Sequence, residues 1–328
     1  MKVRRPDPVA TRVGAAAFLW LFATVALATE AEQAAAWLEK IAKAARQLNY
    51  SGTFVYQHAE QVETSRIFHF ADRSGEYERL VTLDGPKREV IRMNDETYCL
   101  DHDNRVLRME RQSGRRNFPA LIPEQLSQVT DYYDLRMGSP ERIAGYDTQS
   151  LLLEPKDGFR YGHKLWADVA TGLLLKAKRL NERKEVLEQF TFTQLDIGAA
   201  ITREMTKPSV EAGPNWRRDS VSAESISVET GWAVRSFPAG FRKIVAMRRT
   251  KAGSQGSVTH IVYSDGLASV SVFIEPLALK RRPMEGLMRH GAMNILFRPV
   301  SDQMITVVGE APPATILQIG NSVIQLGR

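Results

Sequence analysis

Hydrophobic positions in residues 31–48 recur at a helical spacing. Trp37, Leu38, Ile41, Ala45 and Leu48 share one face, while Glu39, Lys40, Lys43 and Arg46 lie off it. The period then changes to two. In Tyr50-Ser51-Gly52-Thr53-Phe54-Val55-Tyr56, the residues Tyr50, Phe54 and Tyr56 fall on one side, as in a half-buried strand. Strand-like runs follow near 64–71, 76–84, 87–93, 96–101 and 105–111, punctuated by Asp84-Gly85-Pro86, Asn94-Asp95 and Asp101-His102-Asp103-Asn104. Pro119 to Thr130 interrupts them with a short helix or loop. Strands resume near 132–137, 141–154, 159–168, 172–180 and 185–196, with a hairpin turn at Ala170-Thr171-Gly172. Connections this short predict an antiparallel meander, because parallel pairs need long crossovers. Trp37, Phe54, Tyr56, Phe68, Phe70, Trp166, Phe190 and Phe192 supply bulk for the inner face of a large curved sheet. A solid core and an apolar cavity holding a lipid chain both fit that pattern.

The pattern fades in residues 198–230, where Lys207-Pro208-Ser209 and Gly213-Pro214 precede a Ser/Glu-rich stretch. This segment reads as a partly mobile linker. Beyond it, strands are expected near 242–249, 258–264, 267–275, 293–298 and 303–309. Pro312-Pro313 then opens a terminal helix with Ile316, Ile319, Val323 and Leu326 in one stripe. The divisions expected are 29–200, a linker at 201–230, and a smaller α+β unit at 231–328.

The first 28 residues have a different use. Lys2, Arg4, Arg5 and Arg12 stand against Asp7 alone, an apolar run follows from Val13, and Ala26-Leu27-Ala28 offers a signal-peptidase site. The run is too short to favour a membrane anchor, so an export signal cleaved after Ala28 and a periplasmic location are expected. The whole chain has 328 residues and a net charge of +6, and removing the signal leaves 40 basic and 37 acidic residues, a net of +3. That small excess argues against a nucleic-acid partner. The one cysteine, Cys99, excludes an internal disulfide framework and a zinc site built on several thiolates, and reads as a small buried hydrophobe.

Catalytic constellations are scarce. The sequence has no Gly-x-Ser-x-Gly elbow, phosphate-binding glycine loop or His-Glu-x-x-His pair, and its six histidines are scattered singly. His58 and His69 could meet across a hairpin, but they lack an acidic cluster to complete a metal site. Asp101-His102-Asp103-Asn104 and Ser264-Asp265-Gly266 read as turns. No cofactor, metal or catalytic residue is expected. Basic groups gather at Arg111, Arg115 and Arg116, at Arg248-Arg249-Lys251, and at Lys280-Arg281-Arg282, at strand ends or loops. There they are solvated by default, and suited to phosphorylated head groups or acidic peptide as a second use.

Several strings carry more than composition. They include Tyr50-Ser51-Gly52-Thr53-Phe54-Val55-Tyr56-Gln57-His58, Leu83-Asp84-Gly85-Pro86, Arg142-Ile143-Ala144-Gly145, Phe159-Arg160-Tyr161-Gly162 and Thr171-Gly172-Leu173-Leu174-Leu175-Lys176. In the second unit stand Pro238-Ala239-Gly240-Phe241, Tyr263-Ser264-Asp265-Gly266-Leu267-Ala268-Ser269 and Arg289-His290-Gly291-Ala292-Met293-Asn294. In this order and spacing the chain closely resembles the RseB/MucB family, periplasmic negative regulators of the sigma-E envelope-stress factor.

The resemblance implies a first domain like the lipoprotein carriers LolA and LolB, a half-open antiparallel β-barrel plugged by helices, joined to a smaller α+β domain with an antiparallel sheet and a terminal helix. It implies a non-enzymatic regulator that binds the periplasmic region of a membrane-anchored anti-sigma factor and shields it from first-site proteolysis, with release linked to lipid or lipopolysaccharide. A periplasmic lipid or lipoprotein carrier is the alternative. The eight aromatic residues named above are then the lipid-cavity candidates. Arg111, Arg115 and Arg116 are candidates for a head group, and Phe273, Lys280, Arg281 and Arg282 for the anti-sigma partner. Self-association is left open by the sequence.

Overall fold

The computed structural model describes residues 13–94, 96–111, 118–123, 126–198, 200–220, 230–250, 257–277 and 284–326. Helix α1 (Val13–Gln47) leads into a first run of strands: β1 (Tyr50–His58), β2 (Gln61–Asp72), β3 (Gly75–Thr82), β4 (Arg88–Met93), β5 (Glu96–Asp101) and β6 (Val106–Arg111). Helix α2 (Ser127–Tyr132) separates it from a second: β7 (Tyr133–Met137), β8 (Glu141–Ile143), β9 (Tyr146–Pro155), β10 (Gly162–Asp168), β11 (Leu174–Leu180) and β12 (Val186–Ile197). Each run is an antiparallel meander, and β1 pairs with β12 to join them, from Tyr50 opposite Ile197 to His58 opposite Glu188. With a further strand at Arg217–Ser220, one 13-stranded sheet results.

α1 lies against this sheet because its buried stripe, Ala34, Leu38, Ile41, Ala42 and Ala45, meets Tyr50, Phe54, Ile67, Leu151, Leu153 and Leu165. Small alanines let the helix approach closely, and the leucines and isoleucine fill the gaps. The expected single strand over 141–154 is two. Ala144 and Gly145 take positive φ values of 49° and 89° in a tight turn that separates β8 from β9.

The expected linker does more than connect. Arg203–Thr206 forms a short 3-10 helix, and β13 (Arg217–Ser220) adds a parallel strand to β6. The backbone N–H of Ser209 donates to Glu89 Oε2 at 2.9 Å, its hydroxyl donates to Glu89 Oε1, and Arg79 Nε reaches Glu89 at 3.2 Å. The Glu89 side chain is 1% exposed. Burial opposes its charge, but the Ser209 hydrogen bonds and Arg79 outweigh that and lower its pKa. This part of the linker is therefore pinned along the sheet. Residues 221–229, with the Ser/Glu-rich stretch, lie outside the described residues.

The second unit contains β14 (Trp232–Val234), β15 (Arg242–Thr250), β16 (Ser257–Ser264), β17 (Ser269–Pro276), β18 (Gly286–His290), β19 (Met293–Val300), β20 (Gln303–Gly309), helix α3 (Pro313–Asn321) and β21 (Val323–Gln325). Six strands form an antiparallel sheet in the order β15-β16-β17-β20-β19-β18. Alternation along β17 and β20 turns Val270, Val272, Ile274, Ile305 and Val307 toward Ile316 and Ile319 of α3. The terminal helix is shorter than its hydrophobic stripe implies. Val323 belongs to β21, paired with β14, and Leu326 is exposed. The chain is thus a two-domain, mostly β protein whose second unit is an antiparallel sheet with a short terminal helix.

Candidate functional site

The inner face of the first sheet gathers aromatic side chains where β1 meets β12. A register shift after Thr53 sets Phe54 opposite Phe192 and Tyr56 opposite Phe190. Phe54 lies 5.8 Å from Phe192 and 6.3 Å from Phe190, between ring centroids, and Tyr56 stacks on Phe190 at 4.4 Å. Phe118 completes the group, stacked on Phe190 at 5.2 Å. Sequence reading missed Phe118 because its segment has no period to assign it a face. Phe54 and Phe192 are fully buried and Trp37 packs beside them, so this part of the sheet is solid core.

Three lipid-cavity candidates are not brought into this group. Buried Ser65, Ile67 and His69 alternate with Phe68 and Phe70, which therefore occupy the opposite face of β2. Phe70 meets Tyr77 at 6.3 Å, and Arg79 lies over Phe68. Trp166 is offset by one residue from inward-facing Leu165. It is buried under Lys164, Lys176 and Lys178, whose ammonium groups stand 4.6, 4.7 and 5.8 Å from its ring centroid. The lysine stems cover its outer side, and the ring belongs to the buried apolar cluster of the first unit. The side chain of Arg111 and all of Arg115, Arg116, Lys280, Arg281 and Arg282 lie outside the described residues, as do the side chain of Arg249 and all of Lys251.

A cavity of about 490 Å³ opens beyond Tyr56 and Phe190, and the second unit closes it. Leu165, Ala177 and Phe190 of the first sheet face Phe273, Met293 and Val308 of the second. Phe273 lies on the β17 face opposite α3 and stacks on His260 at 4.2 Å. An expected partner contact is therefore half-buried in a wall shared by both units, together with two of the lipid-cavity candidates, Tyr56 and Phe190.

Charge sits at one end of this cavity. Arg179 Nη1 on β11 lies 2.7 Å from Glu310 Oε2 of the second unit and 3.1 Å from Glu188 Oε1 of the first. The Tyr56 hydroxyl donates to Glu188 Oε2 at 3.0 Å. Burial, helped by Glu188, raises the Tyr56 pKa. Burial also raises Glu188 against the pull of Arg179, while the two carboxylates overcome burial at Arg179 and strengthen its charge. His163 lines the same cavity, and burial, with Arg179 adding to it, pushes its pKa down to about 3.

A second, drier seam joins the units nearby. Arg160 Nε donates to Asp265 at 2.8 Å, with both side chains buried, and its other nitrogens donate to Asp157 and to the Ala239 carbonyl. Tyr132 lies against the guanidinium at 4.3 Å. Asn294 Nδ2 donates to the Tyr161 hydroxyl at 2.9 Å and to the Ala311 carbonyl at 2.8 Å, and the Thr315 hydroxyl donates to the Phe159 carbonyl at 2.6 Å. The Ser264-Asp265-Gly266 turn is as expected, with Asp265 Oδ1 accepting from the N–H groups of Leu267 and Ala268. Asp265 Oδ2 is left for Arg160. Four strings that are remote in sequence, at 159–162, 238–241, 263–269 and 289–294, meet at this seam.

The histidines do not form a metal centre. His58 is paired with Gln61 and stands 5.6 Å from His290 across the seam, whereas His69 is buried against Tyr50, donates from Nδ1 to the Leu48 carbonyl at 2.8 Å, and has Nε2 3.1 Å from Glu76 Oε1. Among the described residues, no group of three or more His, Cys, Asp and Glu side chains is placed to hold a metal. Cys99 forms no disulfide and is only half-buried. Among the described residues no helix is long and apolar enough to cross a membrane.

The two units correspond to two known modules. Residues 33–210 match the MucB/RseB N-terminal domain and residues 227–324 the MucB/RseB C-terminal domain. The chain is 33% identical over 307 residues to the sigma factor AlgU regulatory protein MucB of Pseudomonas aeruginosa, covering 90% of this chain and 92% of that one. It is 25% identical over 304 residues to the sigma-E factor regulatory protein RseB of Escherichia coli K12, covering 92% and 93%. The crystal structure of MucB in complex with MucA(peri) superposes with a TM-score of 0.71 at 31% identity, over 90% of this chain and 100% of that one. With both modules matched in order and the likeness running through the seam between them, the chain belongs to the MucB/RseB family of regulatory proteins, which are not enzymes.

Proposed function

We propose that this protein is a periplasmic regulator that holds the periplasmic segment of a membrane-anchored anti-sigma factor and keeps the first-site protease from it. Binding of lipid or lipopolysaccharide releases that segment. The observation that carries this reading is the likeness, across both units, to a protein whose crystal structure is a complex with MucA(peri). Export places the protein beside such a partner, with the signal cleaved after Ala28 and the remaining part of α1 kept in the fold. Residues 29–200 act as a LolA/LolB-type half-open barrel plugged by α1 and α2, 201–230 as the connection, and 231–328 as the principal partner-binding unit.

Occlusion needs affinity alone, which suits a chain whose polar clusters serve as seams and turns. Release needs a ligand with unequal affinity for the holding and releasing states. Two units joined by side-chain contacts around a cavity supply such states.

Cleavage of a purified periplasmic anti-sigma domain by its protease, with and without this protein, tests the reading. At a concentration about 100 times the dissociation constant, only about 1% of the segment stays free, and cleavage slows about 100-fold. An unchanged rate at saturation would sink it.

A further inference from the structure

The outer face of the first sheet carries a row of cations. Ladder partners run Arg136, Leu152, Lys164, Lys178 and Gln189 across β7, β9, β10, β11 and β12, and Trp166 is paired with Lys176 in the neighbouring row. Alternation turns these side chains away from Leu153, Leu165 and Ala177, which point into the core. At about 4.8 Å between strands, the band from Arg136 to Lys178 is about 15 Å wide.

Three ammonium groups converge on one ring. Lys164, Lys176 and Lys178 all stand within 5.8 Å of the Trp166 centroid. Like charges directly opposite each other destabilise a sheet, and Lys164 opposite Lys178 is such a pair. Burial, with Lys178 adding to it, lowers the Lys176 pKa. Carboxylates do not relieve the crowding, because those on this face are already matched. Glu141 has Lys164 at 3.6 Å, Glu154 has Lys184 at 2.9 Å and Arg136 at 3.2 Å, and Asp134 has Lys156 at 3.8 Å. Among the described residues, no carboxylate lies within ion-pair distance of Lys176 or Lys178. The surplus positive charge therefore has no partner within the fold.

The shape of the site narrows the class of partner. The cations are spread along a sheet face, where lysine stems and an indole ring form an apolar base under charged tips, a combination that settles at the head-group level of a bilayer. An extended acidic peptide gains register by pairing with an open strand edge. β9, β10 and β11 offer none, since each is paired on both sides.

We propose that this face docks on an anionic phospholipid surface, with Lys164, Lys176 and Lys178 against the phosphodiester head groups. The inference goes beyond the regulatory reading and does not rest on it. Docking raises the effective concentration of the protein near anything anchored in the same membrane.

Sedimentation of the full mature protein with vesicles tests the proposal. Vesicles that mix phosphatidylglycerol with phosphatidylethanolamine are expected to carry the protein down, and vesicles of phosphatidylcholine alone are not. Each lysine near an anionic surface strengthens association about fivefold, so Lys176→Gln combined with Lys178→Gln is expected to weaken it about 25-fold. Added salt should weaken binding of the unmodified protein steeply and that of the double variant less. Lys207→Gln removes the same charge from the linker and is expected to leave binding unchanged. Circular dichroism checks that each variant is folded. Should the double variant not fold, Lys164→Gln decides, with an expected loss of about fivefold.

Equal sedimentation with neutral vesicles, an equal loss in Lys207→Gln, or full binding by a folded variant of the lysine cluster overturns the proposal. Tighter binding to poly-glutamate than to vesicles of equal charge assigns the face to an acidic polypeptide and overturns it too.

Discussion

Arg160 and Asp265, 105 residues apart in the chain, share a buried hydrogen-bonded ion pair of 2.8 Å that fastens the first unit to the second. The pair stands in a fully partnered cluster, with Asp157 and the Ala239 carbonyl on the guanidinium and two backbone N–H groups on the carboxylate. Removing Arg160 leaves the Asp265 carboxylate buried without a countercharge, which costs about 3–5 kcal/mol, whereas removing Asp265 leaves Arg160 paired with Asp157 and costs less. Arg160→Leu is therefore expected to shift denaturant unfolding by that order, and Asp265→Ala by a smaller amount. In a double-mutant cycle, the double variant should lose less than the two single variants combined. Strict additivity would show that the pair is not coupled.

Gly240 serves the same seam through its backbone. Its φ is +84°, and a Cβ there would stand 2.3 Å from Tyr132 Cε2 and 2.7 Å from Arg160 Nη2. Gly240→Ala combines left-handed strain with displacement of the Tyr132 ring and the guanidinium, at about 1–3 kcal/mol from the overpacking alone. Gly213→Ala is the control, since nothing lies within 4 Å of its Cβ and its φ is not in the left-handed region. Thermal unfolding of the two variants should differ clearly, and equal midpoints would remove the steric argument.

Much of this arrangement was legible in the sequence. Alternation set the meanders in place, and the Asp101–Asn104 and Ser264–Gly266 turns are what their residue types dictate. The face assignments failed where composition was read without parity. Phe68 and Phe70 are as aromatic as Phe54, but two residues of even number on β2 cannot share a face with Ile67 and His69. Trp166 is a different case: it is offset by one residue from inward-facing Leu165 and joins the buried cluster with three lysines over its outer side, which no local pattern announces. The seam was invisible because Arg160, Ala239 and Asp265 become neighbours only when two units dock. Its strings stood out by resemblance, before any physical reason for them was evident.

The linker was expected to be partly mobile, and Glu89 changes that expectation for residues 203–218. Its carboxylate accepts two hydrogen bonds from Ser209 and also faces Arg79 and His102. Hydrogen bonds to a charged group are worth about 1.5–3 kcal/mol each. Glu89→Ala should release this segment from the sheet and raise its limited-proteolysis rate about tenfold or more, with little effect on cuts elsewhere. A cleavage rate matching that of the unmodified protein would show that β13 and the short helix hold the segment by themselves.

His163 gives the fold a predictable response to acid. In the unfolded chain its imidazole takes up a proton near the ordinary value of about 6.5, whereas in the cavity wall it resists protonation down to about 3. A group with a lowered folded-state pKa contributes stability that is complete above the unfolded value and is lost as pH falls toward the folded one. Between pH 6.5 and 3 this residue should draw the equilibrium toward unfolding by up to about 1.4 kcal/mol per pH unit. Glu188 works in the same direction as pH rises rather than falls, because its raised pKa costs stability above the ordinary carboxylate range. The two effects are separable by pH. His163→Gln should flatten the stability profile between pH 6.5 and 4 while leaving its carboxylate limb in place. If wild type and variant lose stability in parallel across that window, the half-buried imidazole is not the group responsible.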